Sequence, residues 1–393
     1  MTHHAPDATT IADVLEHLIE NGLDGMAHAI EIVLNESMKL ERSQFLGAGS
    51  YERTEDRRGY ANGFKPKRVK TRVGELDLRV PKTRDMGSGT ESFYPKSLER
   101  GLRSERALKL AVAEMYVQGV STRKVAQITE ELCGFEISSQ QVSRASKLLD
   151  EELEAWRTRP LGEYAYVILD ARYEKVRFSG QVRSCALLYA VGVDYSGKRS
   201  VLGVSVSLSE AEVHWRDFLR SLVKRGLERV RMITSDDHAG LKAAREAVFA
   251  GVPWQRCQFH LQQNAGAYVP RVDMRDQVAT DIRAIFNARD LVEAQGLLSK
   301  AVKSYSKSAP KLAVWMETNL PEGLSVFVLP PKHRKRTRTS NLLERLSREL
   351  KRRTRVATLF PNEASLLRLA TAVLAEVSEE WETGKTYIRM DQA

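Results

Sequence analysis

Apolar positions at helical spacing run through the first fifty residues. Ile11, Val14, Leu15 and Leu18 recur at intervals of three and four, and a second such stretch follows a glycine-containing break at residues 22–25. This period is typical of amphipathic helices, because residues three and four apart share a helix face. The pattern predicts two helices, which either form a dimerisation surface or pack on their own domain.

The pattern changes at residue 51. Residues 51–82 are rich in arginine and lysine interleaved with aromatic residues, and they end in a short alternating pattern around Gly74. We interpret this stretch as an extended basic arm followed by a small hairpin with Gly74 in its turn.

Residues 104–150 return to a helical pattern. One helix is predicted to start at Ser121 or Thr122 and to end near Gly134, and a second to be capped by Ser138 or Ser139. This layout is that of a helix-turn-helix, whose second helix contacts bases through side chains near its N-terminus. Two helices of an ordinary bundle explain the pattern equally well. The candidate base-reading residues are Gln140, Gln141, Ser143 and Arg144.

Alternating and apolar runs then indicate strands. Three β-rich segments begin at about residue 164, a helical stretch covers residues 210–227, and another short strand precedes Asp236. These elements make an α/β unit whose first three strands can form a meander. From residue 262 to about 330 the pattern is helical. The predicted fold class is therefore α/β, a mixed sheet flanked by helices.

Composition favours a polyanionic partner. The 393 residues contain 61 Lys and Arg against 51 Asp and Glu, a net charge of +10. Cys133, Cys185 and Cys257 lie too far apart for a disulfide framework, which predicts a reducing cytosol. Neither a signal peptide nor a run of about 18 apolar residues is apparent, so we expect a cytoplasmic, nucleoid-associated protein.

Three separated acids form the candidate catalytic group. Asp170 and Asp236 each end an apolar run, and both are predicted at strand ends, where ligands collect in α/β sheets. Glu344 opens a basic helix. Three carboxylates from distant elements suit phosphodiester cleavage with two Mg²⁺ ions about 4 Å apart. Each acid alone also has a structural explanation: a turn for Asp170, a helix cap for Asp236, and for Glu344 a capping box with Asn341 at the N-cap.

A basic run follows Glu344 on the same predicted helix. We predict contacts between this run and DNA phosphates, while Leu342, Leu346 and Leu350 form the buried stripe. The alternative is a solvated face with internal salt bridges such as Glu344 to Arg348. The candidate phosphate-binding residues are Arg345, Arg348, Lys351, Arg352 and Arg353, with Arg355 at the end of the run.

Several motifs in this order resemble the Mutator-type transposases of bacterial insertion sequences. They include LDARYEKVR, SDDHAGL, QRCQFHLQQN and TSNLLERLSRELKRRTR. The family has an RNase H-like catalytic core with an Asp, Asp, Glu triad. The resemblance implies that Asp170, Asp236 and Glu344 are catalytic and bind Mg²⁺, which Mn²⁺ can replace. The family usually has glycine after the second acid, and Asp237 stands there instead; we favour Asp236 because it follows the strand directly.

Cys257 and His260 match a Cys-x-x-His element of the same family. A zinc site would require two further ligands, so we do not expect zinc here. We interpret Cys257 as a buried packing residue and His260 as a local hydrogen-bonding or DNA-facing group.

The resemblance implies a DNA transposase that binds the ends of its element and acts as a homodimer or larger assembly on double-stranded DNA. Cleavage and strand transfer would occur by in-line attack of water or a 3′-hydroxyl. The alternatives are a non-catalytic DNA-binding regulator or decayed transposase, and an RNase H-like nuclease without transposition. The predicted segments are 1–50, N-terminal helices; 51–103, basic arm and hairpin; 104–158, helix-turn-helix; 159–261, RNase H-like core, first part; 262–335, helical insertion; and 336–393, C-terminal helices of the core.

Overall fold

The computed structural model describes residues 8–84, 92–101, 103–355 and 359–390, without the side chains of residues 8–10, 341, 342 and 344. The chain divides into two compact units. The first comprises Met1–Tyr116 and Val120–Leu148, and the second comprises Val117–Gly119 and Leu149–Ala393.

The first unit is mostly helical with one hairpin. A short 3₁₀ helix, Gly22–Gly25, separates its first two helices, which confirms the predicted break. Its elements in chain order are α1 (Ala8–Asn21), α2 (Met26–Leu46), β1 (Tyr60–Thr71), β2 (Gly74–Arg84), α3 (Arg106–Val117), α4 (Thr122–Cys133) and α5 (Ser139–Ser146).

The hairpin corrects the prediction of an extended basic arm. Most of that arm is β1, which pairs antiparallel with β2 from Tyr60–Arg84 to Thr71–Gly74. Only β2 has the alternating burial of a strand that packs on a core, with Leu76, Leu78 and Val80 buried. Because β1 gains its backbone hydrogen bonds from β2, it does not need an apolar pattern of its own. This is why a basic sequence forms a strand here.

The two helices predicted between residues 121 and 150 are confirmed. Ser121 precedes α4 and its side chain accepts a hydrogen bond from the backbone N–H of Lys124. Gly134 ends α4 with φ of 70°, a left-handed conformation that favours glycine. Ser138 and Gln141 form a complete capping box at the start of α5.

The second unit contains a mixed sheet and helices on both of its faces. Over the described residues, five strands lie in the order β5, β4, β3, β6, β7. The first three along the chain form the predicted antiparallel meander, and β6 and β7 run parallel to β3. The elements are α6 (Asp150–Thr158), β3 (Tyr164–Phe178), β4 (Gln181–Asp194), β5 (Arg199–Ser207), α7 (Glu212–Lys224), β6 (Met232–Ser235), α8 (Ala239–Val248), β7 (Trp254–Arg256), α9 (Gln258–Ala265), α10 (Arg275–Phe286), α11 (Leu291–Ser308), α12 (Pro310–Asn319), α13 (Pro331–Thr337), α14 (Asn341–Thr354) and α15 (Glu363–Thr383).

Asp170 does not lie at a strand end, as the sequence had suggested. It lies within β3, which continues to Phe178 because β4 pairs with it along its whole length. The parallel neighbour β6 pairs only with Tyr166 to Ile168. Asp170 therefore lies just beyond the parallel part of the sheet, where β6 has already ended.

Different sets of helices pack on the two faces of the sheet. Val167, Leu169 and Ile233 pack into a core with α7 and α8. The helices from α9 to α12 share another core with Tyr166 and Met232. The helical stretch predicted as an insertion therefore packs against the sheet. Helices α14 and α15 contact β3, and α15 also contacts β5.

Helix α14 begins at Asn341, one residue earlier than a capping box with Asn341 at its N-cap requires. Ser340 is at the N-cap and makes no side-chain capping bond. The buried stripe of α14 includes Leu343, Leu346 and Leu350; the predicted Leu342 has a side chain outside the described set. In the described part of the chain, no helix is long and apolar enough to cross a membrane.

Candidate active site and nucleic-acid interface

Asp170 is held by two hydrogen bonds inside the sheet. Its Oδ2 accepts from the Tyr189 hydroxyl at 2.7 Å, and its Oδ1 accepts from the backbone N–H of Ala171 at 2.9 Å. Burial raises the pKa of Asp170, although these two hydrogen bonds act in the opposite direction. The carboxylate is thus oriented but poorly solvated, a state that a bound cation would stabilise.

Asp236 follows β6 directly and has a more open setting. Its side chain is 46% exposed, yet its Oδ1 is buried and has no hydrogen-bond partner among the described residues. The nearest basic group is His260, whose Nδ1 lies 3.5 Å from Oδ1. Asp236 is not the cap of α8, because His238 occupies the N-cap position.

Asp237 has a different basic neighbour from that of Asp236. Its Oδ2 lies 3.1 Å from Nη2 of Arg256, which is buried and also pairs with Glu322. A carboxylate engaged by a buried guanidinium already has its counter-charge. Asp237 is therefore paired with a buried guanidinium, whereas the Oδ1 atom of Asp236 has no hydrogen-bond partner among the described residues.

Cys257 and His260 lie at the start of α9, beside Asp236. Cys257 is fully buried, as predicted, and its Sγ accepts hydrogen bonds from the backbone N–H and the hydroxyl of Ser340, both at 3.3 Å. Burial opposes ionisation of Cys257, but hydrogen bonds from His260 and Ser340 lower its pKa overall. The hydrogen bond with Cys257 and the nearby carboxylates of Asp236 and Asp170 raise the pKa of His260.

Glu344 lies in the first turn of α14, and its side chain is outside the described set. Three residues later, the Ser347 hydroxyl lies 2.6 Å from the Tyr189 hydroxyl, which also bonds Asp170. Positions 344 and 347 share a face of the helix because they are three residues apart. Among described side chains, no group of three or more His, Cys, Asp or Glu residues is arranged to hold a metal ion.

The predicted base-reading residues lie on the short helix α5. Gln140, Ser143 and Arg144 are exposed. Gln141 is half-buried, and its Oε1 accepts from the backbone N–H of Ser138, so this oxygen is already engaged in the capping box. Base contact by the Gln141 oxygen would compete with this local bond.

The basic run on α14 is partly neutralised within the protein. Arg345 pairs with Glu380 at 3.0 Å, and Arg352 pairs with Glu349 at 2.6 Å. Arg353 is 4% exposed, and its guanidinium bonds both Glu376 and Glu349. The prediction that Arg353 contacts DNA therefore does not fit its burial. The exposed basic residues of the run include Arg348, Lys351 and Arg355.

Sequence reasoning missed a basic groove in the first unit. Lys67 and Lys70 line it, together with Lys65, Arg103 and Gln141. The Lys67 ammonium bonds the Tyr94 hydroxyl and a backbone carbonyl, and Lys70 bonds the carbonyl of Glu136. In the described part of the chain, neither lysine forms an ion pair with a carboxylate. The missed signal was the pair of lysines three residues apart in β1, Lys67 and Lys70.

Tyr189 and Ser347 were also missed. Tyr189 lies in the fully buried run of β4, and a buried tyrosine hydroxyl usually requires a partner. That requirement is visible in the sequence, but the identity of the partner is not. Burial and the nearby Asp170 carboxylate raise the pKa of Tyr189 well above its usual value, so the phenol stays protonated and donates.

Neighbouring carboxylates on and after adjacent strands of a mixed α/β sheet, in a basic chain, are typical of enzymes that act on nucleic-acid phosphodiesters. The chain matches the family model "Transposase, Mutator family" over residues 3–384. It is 59% identical over 376 residues to the transposase for insertion sequence element IS406 of Burkholderia multivorans, covering 95% of this chain and 96% of that protein.

Two further relatives give the same result. Identity is 44% to the transposase for ISRM5 of Rhizobium meliloti, covering 98% of this chain and 95% of that protein. It is 33% to the transposase for IS256 in transposon Tn4001 of Staphylococcus aureus, covering 99% of each. The chain belongs to the Mutator family of transposases, which are DDE-type enzymes that catalyse DNA cleavage and strand transfer.

Proposed function

We propose that this transposase cleaves and joins DNA with divalent metal ions bound by Asp170, Asp236 and Glu344, in an RNase H-like core. The supporting observation is the chain of contacts that joins three elements. Asp170 on β3 bonds Tyr189 on β4, and Tyr189 bonds Ser347 on α14, the helix that carries Glu344. Asp236 follows β6, the parallel neighbour of β3.

The chemistry of these groups fits a hard divalent cation. Carboxylate oxygens are the ligands that Mg²⁺ and Mn²⁺ prefer. The Oδ1 atom of Asp236 has no hydrogen-bond partner among the described residues, which leaves it open to a ligand. Bound metal ions would supply charge stabilisation to the attacking and leaving oxygens of the phosphodiester.

In this proposal, neighbouring residues of the chain orient the Asp170 and Asp236 carboxylates. Tyr189 and the Ala171 backbone keep the Asp170 carboxylate in one orientation. His260 lies beside Asp236 and gives it a basic neighbour. The attacking group is water for cleavage or a DNA 3′-hydroxyl for strand transfer. No covalent bond between protein and DNA is required, so none of the tyrosines or serines acts as a nucleophile.

Substitution of single acids tests this proposal. Asp170→Asn and Asp236→Asn should each abolish Mg²⁺-dependent nicking of a plasmid that carries the element ends, while binding to those ends in EDTA persists. Asp237→Asn is the matched control: it is adjacent, and Arg256 keeps its ion pair with Glu322. Nicking by either of the first two variants would contradict the assignment, as would loss of nicking in the control alone.

We infer that the first unit holds DNA through α5 and the basic groove together. Gln141 belongs to the lining of the groove and also to the first turn of α5. Lys67 and Lys70 are held by neutral oxygen atoms, so their charges stay free for phosphates. In this arrangement Gln140, Ser143 and Arg144 contact bases while the lysines contact the adjacent backbone.

Base reading and phosphate binding respond differently to substitution. Gln140→Ala and Arg144→Ala should reduce the preference for the element ends over unrelated duplex, as measured by competition in fluorescence anisotropy. An equal loss of affinity for both duplexes would indicate that α5 contacts only the DNA backbone.

Helix α1 offers a surface for a second copy of the chain. Ile11, Leu15 and Ile19 lie at intervals of four and are 52%, 55% and 83% exposed, and Leu23 just beyond is 82% exposed. Such an apolar stripe is costly in water, and we propose that the same stripe of a second chain covers it. Ile19→Glu should convert a dimer to a monomer in light scattering. An unchanged mass would place the oligomer contact elsewhere.

A further inference from the structure

The Tyr189 hydroxyl is the meeting point of three elements of the second unit. It is buried on β4 and lies 2.7 Å from Oδ2 of Asp170 on β3. The same oxygen lies 2.6 Å from the Ser347 hydroxyl on α14. A phenol has one proton to donate, and Asp170 is an acceptor, so Ser347 must donate to Tyr189 in turn.

Two further contacts fasten α14 to the same strand. Arg172 donates to the backbone carbonyl of Ser347 at 3.2 Å, and Thr354 donates to Glu174 at 3.0 Å. Arg172 and Glu174 are themselves ion-paired at 2.6 Å. Helix α14 is therefore hydrogen-bonded to β3 at the middle and at the C-terminal end of the helix, through residues that follow Asp170 along the strand.

The Tyr189 bridge differs from these contacts because it includes a carboxylate of the proposed site. Partners that bond a metal ligand from outside fix its orientation, and their loss typically costs 10–100-fold in metal affinity or activity. Ser347 is three residues from Glu344, so the bridge also sets the distance between the helix that carries the third acid and the strand that carries the first.

We propose that Tyr189 is a positioning residue, whose hydroxyl links Asp170 to Ser347 and thereby holds α14 at the distance that metal binding by the acids requires. This inference rests on the function proposed above. It assigns to Tyr189 no contact with DNA or metal. Its effect is on the geometry of the site.

The test compares two tyrosines that differ mainly in location. Tyr189→Phe removes one hydroxyl from the bridge. Tyr164→Phe is the matched control: Tyr164 is on β3 and bonds the Ser200 hydroxyl at 2.7 Å, the same type of bond as that between Tyr189 and Ser347. Ser347→Ala breaks the bridge from the helix side, which gives a second route should Tyr189→Phe fold poorly.

The first measurement is Mn²⁺ binding by calorimetry in the absence of DNA. Tyr189→Phe and Ser347→Ala should each weaken binding about tenfold, and the double variant should be little worse than either single variant, because both break one bridge. Tyr164→Phe should bind as the wild type. Thermal unfolding without metal and DNA binding in EDTA should be close to wild type for all of these variants.

The second measurement is the Mn²⁺ concentration for half-maximal nicking, which should rise about tenfold in Tyr189→Phe. A purely structural role would lower the melting temperature without this shift. Wild-type Mn²⁺ affinity in Tyr189→Phe would overturn the inference. Should Asp170→Asn also bind Mn²⁺ like the wild type, the proposed metal ligands themselves would be wrong, so the two failures are distinguishable.

Discussion

Lys67 and Lys70 in one basic segment and Arg352 and Arg353 in another have partners of different charge. In the first unit, Lys67 and Lys70 on β1 are held by a phenol and by backbone carbonyls. In the second unit, Arg352 and Arg353 on α14 are held by carboxylates. A neutral partner orients a cation and leaves its charge, whereas a carboxylate cancels it. Lys67 and Lys70 are thus better suited to bind phosphates than Arg352 and Arg353.

A basic run in a sequence therefore predicts where cationic residues lie, but not whether they bind phosphates or pair with carboxylates of the same chain. The run on α14 has the higher density of charge, yet its most buried member, Arg353, holds α14 to Glu376 on α15. Lys67 and Lys70 of β1 line a groove together with residues distant in sequence, such as Tyr94, Arg103 and Gln141. Four measurements separate the two behaviours.

The largest expected effect is on folding. Arg353→Ala should lower the free energy of unfolding by about 3 kcal/mol, because it leaves Glu376 and Glu349 without the buried guanidinium. Chemical denaturation measures this change. A loss below about 1 kcal/mol would show that the two segments do not differ in this way.

Next is the salt dependence of DNA binding. Replacing Lys67 and Lys70 with glutamine should reduce the slope of log affinity against log salt by about 2, since each phosphate contact contributes about 0.9. The control is Lys82→Gln in the same hairpin, which is exposed and outside the groove. An unchanged slope in the double variant would remove the groove from the DNA interface.

A smaller effect concerns acid stability. Hydrogen bonds from Arg352 and Arg353 lower the pKa of Glu349 from 4.5 to about 2. Because the pKa of Glu349 is lower in the folded than in the unfolded state, its ionised form stabilises the fold at pH values above about 4.5. This contribution is lost as the pH falls from about 4.5 to about 2. Urea midpoints of wild type and Glu349→Gln should therefore converge towards pH 2. A constant gap would mean that Glu349 has the same pKa in the folded and unfolded states.

The smallest effect is expected at Arg352. The Arg352 side chain, which pairs with Glu349, is 59% exposed. Exposed ion pairs contribute about 0.5 kcal/mol or less to the free energy of unfolding. Arg352→Ala should thus change the free energy of unfolding by no more than this amount. A change as large as that of Arg353→Ala would contradict the expectation that the exposed pair of Arg352 contributes little.

The acids and the helices were accessible from the sequence because they follow local rules. Helical period, Ser138 as a cap and Gly134 as a stop depend on neighbours a few residues away, and the structure agrees with each. Asp170 and Asp236 were found because apolar runs precede them. The prediction that Asp170 ends its strand was wrong, because the residue lies within β3. Strand length depends on the partner, and β4 is a longer partner than β6.

What the sequence alone determined is the composition of the protein: its basic charge, its helical and β-rich segments, and three acids in motifs of a transposase family. The tertiary structure decided which charges are cancelled and which are free. It paired Asp237 with Arg256 and left an oxygen of Asp236 open, and it brought Tyr189 between Asp170 and Ser347. These are contacts between residues far apart in the chain, and no local pattern specifies them.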